Sequence, residues 1–188
     1  MNDNKVDQQG ATSGRDIVGR DAIYNVYSSG LIKSEKIKEL VFRLDKEIGA
    51  DETRSNWIDS LQFFEEPYSP DGVIGLEAKL KKCQCEHKLF LAMRQKELFV
   101  KFLNKYSLYG AAQELLALCL HHVHQEFETH VHPACGIATT VELDQIIASK
   151  VIQAVVDEYG FGTFALNHGL VSGMTYWLAE RCYVRWHK

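Results

Sequence analysis

From residue 34 onward the apolar residues of this chain recur every three or four positions. Before that point they come in short alternating pieces. Ile37, Leu40, Val41, Leu44 and Ile48 predict a first helix with Ser34 as its N-cap. A second fits 55–65, with Trp57, Ile58, Leu61 and Phe64 inward. Pro67, Pro70 and Asp71-Gly72 mark a loop, and VIGLEAKLKK (73–82) opens a short helix after it. Residues 86–105 predict a long helix, apolar over much of its circumference through Leu89, Phe90, Ala92, Met93, Leu98, Phe99, Phe102 and Leu103. That pattern predicts a central place in the bundle. Tyr109 to about His132 reads as an amphipathic helix with a stripe of Ala112, Leu115, Leu116, Cys119, Val123 and Phe127, ended by Pro133. Helices around 140–159 and 167–180 complete the set. The tail, Cys182-Tyr183-Val184-Arg185-Trp186, alternates as a short strand would. Gly173 inside the last helix predicts close approach of another element there.

Residues 1–33 form a polar lead rich in Gly, Ser, Asp, Asn and Gln. Inside it GRDIV is followed at once by GRDAI (14–23), and the strand-like AIYNVY (22–27) comes next. No Gly-Lys-Ser/Thr closes this stretch and no helix follows it, which argues against a phosphate loop. Two readings remain: a solvated tether, or short strands over 14–27 that pair with a partner's edge through Arg15, Asp16, Ile17, Val18, Arg20, Asp21, Ile23 and Tyr24. The chain is therefore expected to be mostly α. It reads as a bundle of about six or seven helices over 34–188, with a short N-terminal β repeat and a short C-terminal strand. With no βαβ alternation, a Rossmann or P-loop fold is not expected.

Composition narrows the class. With 188 residues, 46% hydrophobic and 24% charged, the chain has the make-up of one globular domain with an extension. No apolar run approaches a membrane span and residues 1–13 lack a signal-peptide core, so a cytoplasmic protein without a membrane partner is expected. The five cysteines, Cys83, Cys85, Cys119, Cys135 and Cys182, are odd in number and scattered; they read as free thiols. The net charge is −4, yet 77–105 carries eight basic residues against three acidic ones. This is either a solvated helix surface or a contact for an acidic partner or DNA, with Lys79, Lys81, Lys82 and Lys88 as the nucleic-acid candidates.

Candidate chemistry concentrates near one helix end. At 100° per residue His121, His124, Glu128 and His132 share a polar face and could hold a metal. No H-E-x-x-H accompanies them, and a His-rich outer face near a helix C-terminus explains them equally. Cys135, in a Pro-Ala-Cys-Gly loop near His132, is the better thiol nucleophile. Cys119 lies on the apolar stripe, where burial blunts reactivity. No cofactor is expected.

Read in order, the GRDIVGRD lead, VIGLEAKL, KELFVKFL, YGAAQELLALCL and the closing GMTYWLAERCYVRW resemble the C-terminal-domain component of bacterial ABC-three-component conflict systems, of which the Lamassu antiphage systems are the best-known kind. The resemblance runs from about residue 10 to the end. It implies a non-enzymatic adaptor that couples an effector to an SMC/Rad50-like ABC ATPase and a small middle component, with DNA contact only through the complex. Family members usually carry the effector in front of this domain, whereas only 13 polar residues precede the lead here. The effector is thus expected on a separate chain, unless this sequence is a piece of a longer protein. Homo-oligomerisation through the lead is expected as well. The competing functions are a metal- or thiol-dependent hydrolase centred on the His121–Cys135 cluster and a DNA-binding module using 77–105.

Overall fold

The computed structural model describes residues 34–66, 69 and 72–187. The helices are α1 (Glu35–Ala50), α2 (Asp59–Gln62), α3 (Leu76–Lys82), α4 (Leu89–Tyr106), α5 (Gly110–Glu126), α6 (Thr140–Ile146), α7 (Gln153–Tyr159) and α8 (His168–Glu180). Two of them run on through wider, π-helical turns. α5 continues over Phe127–Val131, where the His132 N–H reaches Phe127 O five residues back. A similar stretch, Ile147–Ile152, joins α6 to α7. The first has a local cause: Pro133 lacks the N–H that an α-turn would need, so the helix loosens just before it.

α5 occupies the middle. Ala111, Ala112, Leu115, Leu116, Ala117, Cys119, Leu120 and Val123 are all buried, so that most of its circumference faces protein. α1 packs on it, and α8 packs on both α5 and α4. The expectation of a central 86–105 helix is thereby corrected. α4 buries only Ala92, Phe99, Leu103 and Tyr106, and leaves Phe90, Leu91 and Leu98 in the open. Small residues on several sides of α5 admit neighbours all round, whereas Phe90, Leu91 and Leu98 on the outer side of α4 stay largely open to solvent.

The second predicted helix is also shorter than 55–65. Only α2 and a 3₁₀ turn, Phe63–Glu65, are helical, because the backbone before them is held elsewhere. Fully buried Gln113 on α5 accepts the Ile58 N–H (2.9 Å) and donates to Asn56 O (3.1 Å) and Ser107 O (2.7 Å).

The C-terminal strand does not form, and no strand occurs among the described residues. The alternation is real, since Val184 and Trp186 are buried. Their backbone has no strand to pair with, however, and follows a helix end instead. α8 closes in a Schellman motif: Tyr183 N–H bonds Leu178 O (2.8 Å), Cys182 N–H bonds Ala179 O (3.1 Å), and Cys182 takes the left-handed conformation at φ 68°. The predicted N-terminal β repeat lies outside the described residues. Among those described, no helix is long and apolar enough to cross a membrane.

The expected close approach at Gly173 is present. A Cβ there would meet Gln95 O of α4 at 2.2 Å and Phe99 Cβ at 2.8 Å. Beside it, Phe99 and Trp177 meet edge to face at 5.7 Å. Gly173→Ala is expected to destabilise the fold by about 1–3 kcal/mol through overpacking, despite the better helix propensity of alanine. Gly49→Ala, at a helical site with nothing within 4 Å of the new methyl, should instead stabilise by about 0.5 kcal/mol. Urea unfolding of the two variants, read as opposite shifts in midpoint, checks this pair.

Candidate functional site

The basic segment is divided by the fold. Lys79 is 1% exposed, and its Nζ donates to Ala179 O (2.7 Å) and Val184 O (3.1 Å). A cation at the C-terminal end of α8 meets the negative end of the helix dipole, and it bonds one carbonyl in the last turn and one in the tail beyond it. Lys79 is thus a bracket between α3, α8 and the tail, which removes it from any row of phosphate contacts. Lys88 is half-buried and paired with Asp144. Lys81 and Lys82 remain exposed on the last turn of α3.

The histidines are dispersed over several local partners. His121 stacks on Phe63 at 5.9 Å and meets the edge of Phe64 at 4.7 Å. His124 lies edge-on to Tyr183 at 6.0 Å. Glu126 sits between His122 (3.7 Å) and His130 (3.2 Å), while Glu128 faces His132 at 3.6 Å. His132 Nε2 accepts from Arg185 Nε at 3.3 Å. Among the described residues no group of three or more His, Cys, Asp or Glu is placed to hold a metal ion, so His121, His124, Glu128 and His132 do not converge.

The thiols serve packing. Cys119 is fully buried on α5, and loss of solvation pushes its thiol well above the ordinary range. Cys135 is buried as well, with Sγ donating to Val131 O at 3.3 Å. Cys83 is pushed up to about 12, by burial first and by its hydrogen bond with Cys85 second. A thiol held protonated is a poor nucleophile. Cys83 lines a pocket of about 130 Å³, mostly apolar, together with Leu80, Leu143, Tyr176 and Trp186, beside the Lys88–Asp144 pair.

One surface has no place in the sequence reading. Opposite its buried stripe, α4 presents Phe90, 75% exposed, Leu91, 56%, and Leu98, 47%, interleaved with Arg94, Glu97 and Lys101. A shallow hollow lies among Leu91, Arg94, Glu97, Leu98 and Lys101. Sequence periodicity placed Phe90 and Leu98 in the apolar arc of a central helix. The over-wide apolar arc of 86–105, wider than one neighbour can cover, was the available signal. The dense tail, in contrast, is turned inward: Tyr183 OH donates to Phe63 O and Glu66 O (3.0 Å), and Trp186 packs edge to face on Phe127 at 5.4 Å.

Residues 75–186, α3 through the buried tail, match the family model described as C-terminal domain 9 of the ABC-three component (ABC-3C) systems. The chain belongs to this family. The match spans more than half of its 188 residues, and is narrower than the resemblance read from residue 10 onward: the lead, α1 and α2 lie outside it. Within it fall the α4–α8 contact at Gly173, the Lys79 bracket and the exposed face of α4. No curated protein and no solved structure matches the chain.

Two expectations follow from this geometry. Lys79→Met should cost about 2–3 kcal/mol, since charge-assisted bonds to buried carbonyls are lost, whereas Lys82→Met should fall within about 0.5 kcal/mol of wild type. Denaturant midpoints measure both. His121 should titrate below the ordinary histidine range, because burial disfavours its cation first and His124 second. The unfolded chain then binds the proton more readily, so this group's contribution to stability is present at neutral pH and lost as pH falls below the unfolded histidine value. Ring-proton NMR should show that low midpoint, and Phe63→Ala, which opens the ring to water, should raise it.

Proposed function

We propose that this chain is a non-enzymatic assembly subunit of a bacterial antiphage ABC-three-component system, holding an effector in reach of an SMC/Rad50-like ABC ATPase. Membership of the ABC-three-component C-terminal-domain family carries this reading. The state of the reactive side chains supports it: the buried thiols cap carbonyls or pack, and the histidines bond nearby carboxylates, rings and Arg185. The middle component or a separately encoded effector would be the second partner, and DNA would be touched only through the complex. In this proposal the lead, through Arg15, Asp16, Ile17, Val18, Arg20, Asp21, Ile23 and Tyr24, supplies strand pairing that brings copies or partners together.

Co-expression of the full chain with the ABC ATPase and the remaining component of its own system tests this. The expected result is a stable complex that survives size exclusion, with weakened assembly when residues 1–30 are deleted. A chain that elutes free of both components, whether or not the lead is present, would overturn the reading. So would hydrolytic activity of the purified chain that is lost on Cys135→Ala or His132→Ala.

A further inference from the structure

We infer that the outward face of α4 is a self-association surface, on which two copies of this chain pack their α4 helices antiparallel about a two-fold axis. The inference concerns a second copy of the chain and stands apart from the identity of the system's other components.

At 100° per residue, Phe90, Arg94, Glu97 and Lys101 fall within about 60° of arc, with Leu91 and Leu98 along one flank. This arc lies opposite the face that α8 covers, and all six residues are exposed. The inner face is fixed, because Gly173 lets α8 rest against the α4 backbone. α4 is therefore a rigid ridge of 18 residues with a mixed apolar and charged outer side. Apolar side chains grouped so closely on one solvent-facing ridge gain from removal from water, at roughly 25 cal/mol for each Å² covered.

The arrangement of charge selects the occupant. In an antiparallel pair related by an axis passing between Gln95 and Lys96, residues equidistant from that point face each other. Arg94 then faces Glu97 of the second copy, and this contact occurs twice. Lys101 falls over the ring of Phe90, a cation–π arrangement, and the hollow among Leu91, Arg94 and Leu98 lies at the axis. A parallel pair would set Arg94 on Arg94 and Lys101 on Lys101, and would align the helix dipoles unfavourably. A face built for a purely acidic partner would have no use for Glu97. The ridge complements itself in one orientation, as a two-fold interface requires.

Analytical ultracentrifugation of the full chain, with Arg94→Glu, Glu97→Arg and the double reversal, is the test. Wild type should dimerise reversibly in the micromolar range. Each single reversal makes two like-charge contacts and should weaken the dimer by about tenfold, and the double reversal should restore it to within about threefold. Leu98→Asp should weaken it too, with an unchanged melting curve by circular dichroism confirming that the fold is intact. A wild-type chain that stays monomeric at about 100 μM, a level at which even weak specific dimers form, overturns the inference. An assembly indifferent to both single reversals also overturns it and points to association through another surface, such as the lead. Weakening by the single reversals without recovery in the double variant overturns the paired geometry and favours a different occupant.

Discussion

A helix buried on nearly every side sets the terms for this fold. α5 carries small and branched apolar residues around most of its surface, and water must be kept from all of them. α1 and α8 cover its flanks, α2, α7 and the π-helical stretch Ile147–Ile152 complete the cover, and α4 is a further layer that packs mainly on α8. Burying α5 also buries polar groups. Gln113 meets this by binding three backbone groups from two earlier segments, which fixes where the chain enters α2 and where it turns out of α4.

The ends of the helices show the same dependence on distant parts. Ser34 stands at the head of α1 without a side-chain capping bond, and its N–H reaches Glu158 instead (3.3 Å). The N-terminus of α3 is met by Glu180 through Leu76 N (2.9 Å), and that of α5 by Glu47 through Ala111 N (2.9 Å). Each carboxylate comes from another helix and suits the positive end of the dipole it meets. Thr139 with Glu142 and Asn167 with Leu170 N are the local caps. α1, α3 and α8 each end in a left-handed residue that is not glycine, Asp51, Gln84 and Cys182, in Schellman geometry. The cost of that backbone conformation is met by the contacts that hold the next residues, Val184 among them.

This explains the uneven legibility of the sequence. The inward stripe of α1, the stop at Pro133 and the tight contact at Gly173 were all readable, because each follows from local spacing or from one residue's steric limits. The start of α2 was not, since a glutamine 55 residues away binds Ile58. The tail's alternation predicted its buried residues correctly and its backbone wrongly, as burial needs a core while a strand needs a partner edge. For the candidate site, residue types alone grouped His121, His124, Glu128 and His132 on one face. Rings and carboxylates from their own and neighbouring elements then engaged them separately.

By itself the sequence determined that residues from 34 onward would be helical, which face of most helices would be apolar, and the likeness to a family of ABC-three-component domains. Periodicity reports which side of a helix avoids water, and that is fixed by spacing along the chain. Tertiary structure alone decided which of those apolar sides would find a neighbour. It made α5 the centre and left Phe90, Leu91 and Leu98 of α4 uncovered. It also took Lys79 out of a basic run and buried it against carbonyls 100 and 105 residues away. A lysine's charge is written in the sequence, but whether it meets water, a phosphate or a helix end depends on what the fold brings to it.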